Sequence, residues 1–180
     1  MLEIICSGFG GQGLLVAGMI IADAAMEEGK QVSWYPSYGF EMRGGEANCD
    51  IKISDSDLPS PYCLEPDILY TLNEGAINKY ESRLKKGGLL LVNSSLVDEN
   101  RTYRDDIRVI KVPATDIASE LGNPRGTNVV MIGALAAASE AYDADYMRGA
   151  VDHYFAKKGK KNPKNALCFD KGAEVAKSQL

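Results

Sequence analysis

The chain has 180 residues, 45% apolar and 25% charged, with a net charge of −5. One globular domain of this size buries roughly 70% of the surface its unfolded chain exposes, so a proper core is expected. The acidic balance excludes nucleic acid or an anionic membrane as the main partner, because both call for a basic surface.

The chain opens with a short, β-branched apolar run at 2–7, which reads as a buried strand. Gly8-Phe9-Gly10-Gly11-Gln12-Gly13 follows at once, then an apolar helix over 14–28 that Gly29 is placed to end. QVSWY at 31–35 reads as a second strand, completing a βαβ unit. Tyr38-Gly39-Phe40-Glu41-Met42-Arg43-Gly44-Gly45 comes next, and the partial alternation of 47–54 suggests a third strand. The stretch from Asp55 to Pro66 holds three prolines and reads as a loop.

Further strands are predicted at 67–72, 89–94 and 107–112, with a helix over 73–86 closed by Gly87-Gly88. Pro113 and Thr115-Asp116 open a short helix ending near Leu121. A nearly all-apolar helix over 127–141, an amphipathic helix over 143–158 and a last helix after the lysine-rich turn at 159–165 complete the chain. Strands alternating with helices over most of the length indicate an α/β fold with a largely parallel sheet, in a single domain spanning residues 1–180.

Cys6, Cys49, Cys63 and Cys168 are widely separated and form no C-x-x-C pair, which argues against a zinc ribbon or an iron–sulfur cluster. His153 is the only histidine and falls on the amphipathic helix, so no Ser-His-Asp or Cys-His machine suggests itself. No apolar run is long enough to span a membrane, and the first residues lack a basic start and a cleavage site. A cytoplasmic protein with reduced thiols is expected.

Gly8, Gly10 and Gly13 satisfy G-x-G-x-x-G between a strand and a helix, the context in which that pattern carries weight. Glycines there allow positive φ and bring helix N-terminal N–H groups close to an acidic ligand. A nicotinamide site also expects an acid at the end of the second strand, where this chain has Ser33-Trp34-Tyr35-Pro36. A free-standing NAD(P)-dependent oxidoreductase and a CoA- or nucleotide-binding module are the alternative readings of the turn. In the second glycine segment, side chains two apart on extended chain share a face, so Glu41 and Arg43 can act together.

GFGGQG after the first strand, YGFEMRGGEANCDIKIS some 25 residues later and TNVVMIGALAA near residue 130 resemble the gamma subunit of 2-oxoacid:ferredoxin oxidoreductases. The resemblance runs from residue 2 to about residue 140. It implies a Rossmann-like fold and a place in a multi-subunit enzyme that oxidatively decarboxylates a 2-oxoacid to an acyl-CoA, with electrons passing to ferredoxin. Alpha and beta partner subunits, with a delta subunit in some members, are then expected to carry the thiamine diphosphate and the iron–sulfur clusters. CoA is the one ligand the resemblance admits for this chain.

Carried over by position, Gly8, Gly10, Gly11, Gln12 and Gly13 form one loop of a CoA-facing or subunit-facing surface. Tyr38, Glu41, Arg43, Gly44 and Gly45 form the second loop, and Asn128 opens the late helix. No catalytic residue and no metal ligand is assigned to this chain. A subunit separated from its neighbours exposes apolar surface, so a homodimer is expected in isolation. The 2-oxoacid is not specified by these motifs, although a short gamma chain resembles the 2-oxoglutarate type more than the pyruvate type.

Overall fold

A computed structural model describes residues 1–39 and 44–180. Strand β1 (Leu2–Phe9) leads into helix α1 (Leu14–Glu27), followed by β2 (Gln31–Tyr38), β3 (Glu46–Ser54), β4 (Ile68–Thr71) and α2 (Glu74–Tyr80). Then come β5 (Leu89–Asn93), β6 (Arg108–Val112), α3 (Ala114–Glu120), α4 (Thr127–Ala138), α5 (Ala144–Lys157) and α6 (Lys164–Lys177). The strands form one sheet in the order β2-β3-β1-β4-β5-β6. β1, β4, β5 and β6 run parallel, while β3 is antiparallel to both β1 and β2.

The βαβ unit expected from the first 35 residues is therefore split. β1 and β2 point the same way, but β3 returns between them, pairing Ile4 with Ile51 on one side and Trp34 with Ile51 on the other. The crossover β1–α1–β2 moves one way on one face, and β4–α2–β5 moves the other way on the opposite face. The two crossovers thus share one hand, as twisted strands require.

Side-chain alternation divides the core in two. Ile4, Cys6, Cys49, Ile51, Tyr70, Leu89 and Leu91 face α1, α4, α5 and α6 in the larger cluster. Ile5, Leu69, Leu90 and Val92 meet Ile77, Tyr80, Leu84 and Cys63 on the other face. α4 is buried almost all round because α6 lies directly on it. That placement explains an apolar stretch with no polar stripe.

The helix expected over 73–86 stops at Tyr80 and tightens into a single 3₁₀ turn over Glu81–Arg83. Beyond it the Arg83 guanidinium donates to the carbonyls of Cys63 and Leu64 in the loop crossing this face. Glu81 accepts from the Arg101 side chain at 3.0 Å and from the Arg104 N–H at 2.9 Å. These long-range bonds hold the segment where continued helix would run.

Candidate functional site

β1 delivers the first glycine segment to the carboxyl edge of the sheet. Gly11 and Gly13 sit at φ 97° and 79°, in the left-handed region that glycine enters without steric cost. A Cβ on Gly13 would also stand 2.9 Å from Asn128 Nδ2, so helix α4 approaches this backbone more closely than a side chain allows. Gly13 caps α1 with no side-chain hydrogen bond, and no acid occupies the first turn. Asn128, the second residue of α4, is buried and donates from Nδ2 to the Gly13 carbonyl at 3.3 Å. Its own backbone carbonyl accepts from the Tyr70 hydroxyl at 3.1 Å, which pins α4 to the sheet.

The two glycine segments, more than thirty residues apart in sequence, are joined. Gly10 N–H donates to the Gly45 carbonyl at 2.9 Å, and Gly44 N–H donates to the Gly10 carbonyl at 3.3 Å. Gly8, Gly10, Gly11, Gln12, Gly13, Gly44, Gly45 and Asn128 consequently form one ledge. Tyr38 stands beside it, opposite Ala47 on β3, and is 60% exposed. Glu41 and Arg43 lie outside the described residues.

Gln12 has a role that its motif does not announce. Its Oε1 accepts from Phe9 N–H at 2.6 Å and from Asn73 Nδ2 at 3.2 Å, and its Nε2 donates to the Leu72 carbonyl at 3.3 Å. β1 and β4 are the strands between which an open α/β sheet forms its ligand crevice, because the crossovers diverge there. In this chain the Gln12 side chain fills that crevice. The belt continues sideways: Asn93, fully buried at the end of β5, donates to the Leu72 carbonyl at 3.2 Å and to Thr115 Oγ1 at 2.9 Å. Its Oδ1 accepts from the N–H groups of Ala114 and Thr115 at the start of α3. Asn73 caps α2 by accepting from Ala76 N–H at 2.9 Å. Sequence reading passed over Asn73 and Asn93. Asn73 had a local signal, an asparagine directly after a predicted strand, where it caps the next helix. Asn93 instead fell inside the strand predicted at 89–94, and the N–H groups it accepts from lie some twenty residues downstream.

This geometry also bears on the dinucleotide alternative. The neighbour of β1 on the relevant side is β3, not β2, and the register brings Glu46, at the start of β3, opposite Phe9. Glu46 is engaged by Lys79 at 3.0 Å. Among the described residues, no acid stands at the end of β2 to hold a ribose.

Two grooves flank the ledge. An apolar cavity of about 580 Å³ lies on the β2 side against Leu15, Val16, Met19, Trp34, Pro36 and Tyr38. A second, of about 440 Å³, lies on the other side against Gly11, Gln12, Thr115, Arg125, Thr127 and Asn128. The N-terminus of α4 opens into this second groove, like that of α1 with no side-chain cap and no acid in its first turn. Two helix N-termini and Arg125 give the groove a positive potential suited to an anionic group. A larger cavity of about 660 Å³ at the opposite edge of the sheet holds Lys30, Asp55, Asp67 and Lys85, where Lys85 pairs with Asp67 at 2.7 Å. It shares no residue with the ledge.

Among the described residues, the titratable groups offer no reactive centre near the turn. His153 lies exposed on α5, 3.5 Å from Glu27. All four cysteines are buried and free. Contact with Cys49, reinforced by burial, holds the Cys6 thiol well above its ordinary pKa, and burial pushes Cys63 up to about 12. Thiolate formation at Cys6 and Cys63 is therefore suppressed at neutral pH. Among the described residues, no three His, Cys, Asp or Glu side chains gather to hold a metal ion. No helix among the described residues is long and apolar enough to cross a membrane.

Residues 3–175 match the protein family described as pyruvate ferredoxin/flavodoxin oxidoreductase. The chain is 39% identical to the 2-oxoglutarate synthase subunit KorC of Methanocaldococcus jannaschii, covering 97% of this chain and 94% of that one. It is 35% identical to the ketoisovalerate oxidoreductase subunit VorA of Methanothermobacter marburgensis, but spans only 36% of that protein's length. Among solved structures, the gamma subunit of a keto/oxoacid ferredoxin oxidoreductase from Geobacter sulfurreducens superposes with a TM-score of 0.79 at 31% identity, covering 99% of both chains. The 2-oxoglutarate:ferredoxin oxidoreductase of Magnetococcus marinus, solved with 2-oxoglutarate, coenzyme A and succinyl-CoA bound, gives a TM-score of 0.87 at 25% identity. The match covers 99% of this chain and 31% of that one. Fold, glycine ledge and sequence kinship agree: the chain belongs to the pyruvate ferredoxin/flavodoxin oxidoreductase family.

Proposed function

We propose that this chain, a single domain over residues 1–180, is the gamma subunit of a cytoplasmic multi-subunit 2-oxoacid:ferredoxin oxidoreductase. The reaction is oxidative decarboxylation of a 2-oxoacid with CoA, giving an acyl-CoA and carbon dioxide while ferredoxin is reduced. The observation that carries the reading is the ledge of Gly8–Gly13 and Gly44–Gly45, held together by reciprocal backbone bonds beside an electropositive groove. Length supports it too, since the chain matches the KorC subunit nearly end to end.

The described residues do not fit the redox cofactors of such an enzyme. The four cysteines are buried, and among the described residues they do not gather with other ligands into a metal-binding group. Thiamine diphosphate and iron–sulfur clusters therefore belong to the alpha and beta subunits, with delta where it is present. CoA fits this chain better. Its diphosphate suits the groove where the N-termini of α1 and α4 converge beside Arg125, and Arg43, one residue before Gly44, supplies a second candidate cation. In this role the chain binds and orients CoA while the chemistry occurs on its neighbours.

The test is anaerobic purification of the tagged chain from its native source, followed by CoA-dependent reduction of a viologen dye with several 2-oxoacids. Co-purification of larger subunits with dye reduction strongest on 2-oxoglutarate is expected. A chain that purifies alone refutes the subunit assignment. In the assembled enzyme, Arg125→Ala is expected to raise the KM for CoA about tenfold, equivalent to ~1.4 kcal/mol. An unchanged KM would show that the ledge contacts a neighbouring subunit rather than CoA.

A further inference from the structure

The two edges of the sheet are treated differently. On β6, Arg108 N–H bonds inward to the Gly88 carbonyl, so the backbone of Lys111 points outward. Both of its groups are taken: Lys111 N–H donates to Gln179 Oε1 at 3.0 Å, and Gln179 Nε2 donates to the Lys111 carbonyl at 2.8 Å. A side-chain amide from the end of α6 thus occupies the place of a further strand.

The edge at β2 has no such cover. Asp67 N–H donates to the Glu3 carbonyl and Leu72 N–H to the Ser7 carbonyl, so odd-numbered β1 residues bond β4 and even-numbered ones bond β3. Carrying that alternation through the register leaves Gln31, Ser33, Tyr35 and Ser37 bonded to β3. The backbone groups of Val32, Trp34, Pro36 and Tyr38 point outward. Among the described residues, no hydrogen bond reaches that outward row. Pro36 lacks an N–H on the open side, where no ladder bond of this sheet is lost.

Natural edges are blunted by charge, by proline or by a covering segment, because a bare row of N–H and C=O groups recruits other strands. Here Pro36 removes one donor while leaving the N–H groups of Val32, Trp34 and Tyr38. β2 is eight residues long and carries no charged residue, whereas a quarter of the whole chain is charged. Tyr35 and Tyr38 stand 41% and 60% exposed along it. A neutral strand is what self-pairing requires. Around a two-fold axis an antiparallel strand meets itself, and charges brought opposite like charges destabilise the pair.

We propose that β2 is the docking edge for a second copy of this chain, the two sheets joining antiparallel across a two-fold axis at Trp34. In that register the two Trp34 residues exchange both backbone bonds, and each Val32 N–H meets the Pro36 carbonyl of the other copy. Ser33 lies opposite Tyr35, and Gln31 opposite Ser37. The contact uses no residue of the glycine turn, so it stands or falls independently of the oxidoreductase reading.

The test uses sedimentation of the full chain across the micromolar range, with deuterium exchange read at single amides. The expected result is a species of twice the 19.5 kDa chain mass, with slowed exchange at the Val32 and Trp34 amides. The double variant Gln31→Lys with Ser37→Lys sets like charges opposite each other across the axis, while within the chain these positions face neutral Ser54 and Asn48. It is expected to be monomeric with an unchanged circular dichroism spectrum. Gln31→Lys with Ser37→Glu sets opposite charges in the same register and is expected to restore the dimer. A native chain that stays monomeric overturns the proposal. So does a dimer that survives the lysine pair, one that leaves both amides unprotected, or protection of the two amides only in complexes with other subunits.

Discussion

Helices α4 and α6 touch backbone to backbone, and a single methyl group should force them apart. A Cβ on Gly133 would stand 2.0 Å from the Phe169 carbonyl oxygen, and one on Gly172 would stand 1.8 Å from the Val130 carbonyl oxygen. Ordinary contact begins near 3.4 Å, so Gly133→Ala requires a local separation of about 1.4 Å. Neither obstacle can rotate away, because both belong to helix backbone. Overpacking costs ~1–3 kcal/mol and an overlap of this size against rigid backbone takes the upper end, while replacing glycine inside a helix returns ~1 kcal/mol of propensity. The net expectation is a loss of about 2 kcal/mol, or roughly 4–8 °C in Tm for a chain of this length. Gly149, exposed on α5 with nothing within 4 Å of its would-be Cβ, is the control. There the same substitution feels only propensity and should raise Tm by roughly 1–4 °C. Thermal and urea unfolding of both variants decide the matter. If Gly133→Ala matches the native protein, or shifts in the same direction as Gly149→Ala, the backbone contact between α4 and α6 is wrong.

Gln12→Ala removes the acceptor for Phe9 N–H and Asn73 Nδ2 and the donor to the Leu72 carbonyl, which should cost ~1–3 kcal/mol in urea unfolding. Gln12→Glu keeps the acceptors and loses only the donor, so its loss should be smaller; equal losses would mean that Gln12 does not bridge the strand ends. Asp50 accepts from Cys63 N–H at 2.9 Å, yet burial raises its carboxyl above the ordinary carboxylate value. The folded chain therefore holds this proton more tightly than the unfolded chain. Stability from this group is full below the unfolded pKa and is lost as pH rises through the folded one. Asp50→Asn should flatten that slope in urea titrations run across mildly acid pH, and an unchanged slope would refute the assignment.

Much of the element order was legible because the hydrophobic period changes cleanly from strand to helix along the chain. The position of β3 was not. Its pattern alternates only partly because both of its faces are buried, with Asp50 and Lys52 covered on one side and Cys49 and Ile51 on the other. Lys52 is satisfied there by Glu3 at 2.9 Å across the β1–β3 ladder, a partner forty-nine positions away. The premature end of α2 was hidden for a similar reason, since Arg83, Arg101 and Arg104 act through contacts that local periodicity does not contain. At the site, the glycines announced a close approach of backbone. Gln12 looked like one more loop residue because its partners, Leu72 and Asn73, lie sixty residues downstream.

The polar belt at the carboxyl edge has a consequence for association. Gln12, Asn73, Asn93 and Thr115 tie the ends of β1, β4 and β5 to the starts of α2 and α3, and Asn128 ties the glycine turn to α4. Groups fixed by mutual bonding have little conformational entropy left to surrender. A neighbour or ligand that settles on this edge meets a preorganised plate, and ordering cost falls on the incoming molecule alone. Association there should proceed with small backbone displacement, closer to rigid docking than to coupled folding.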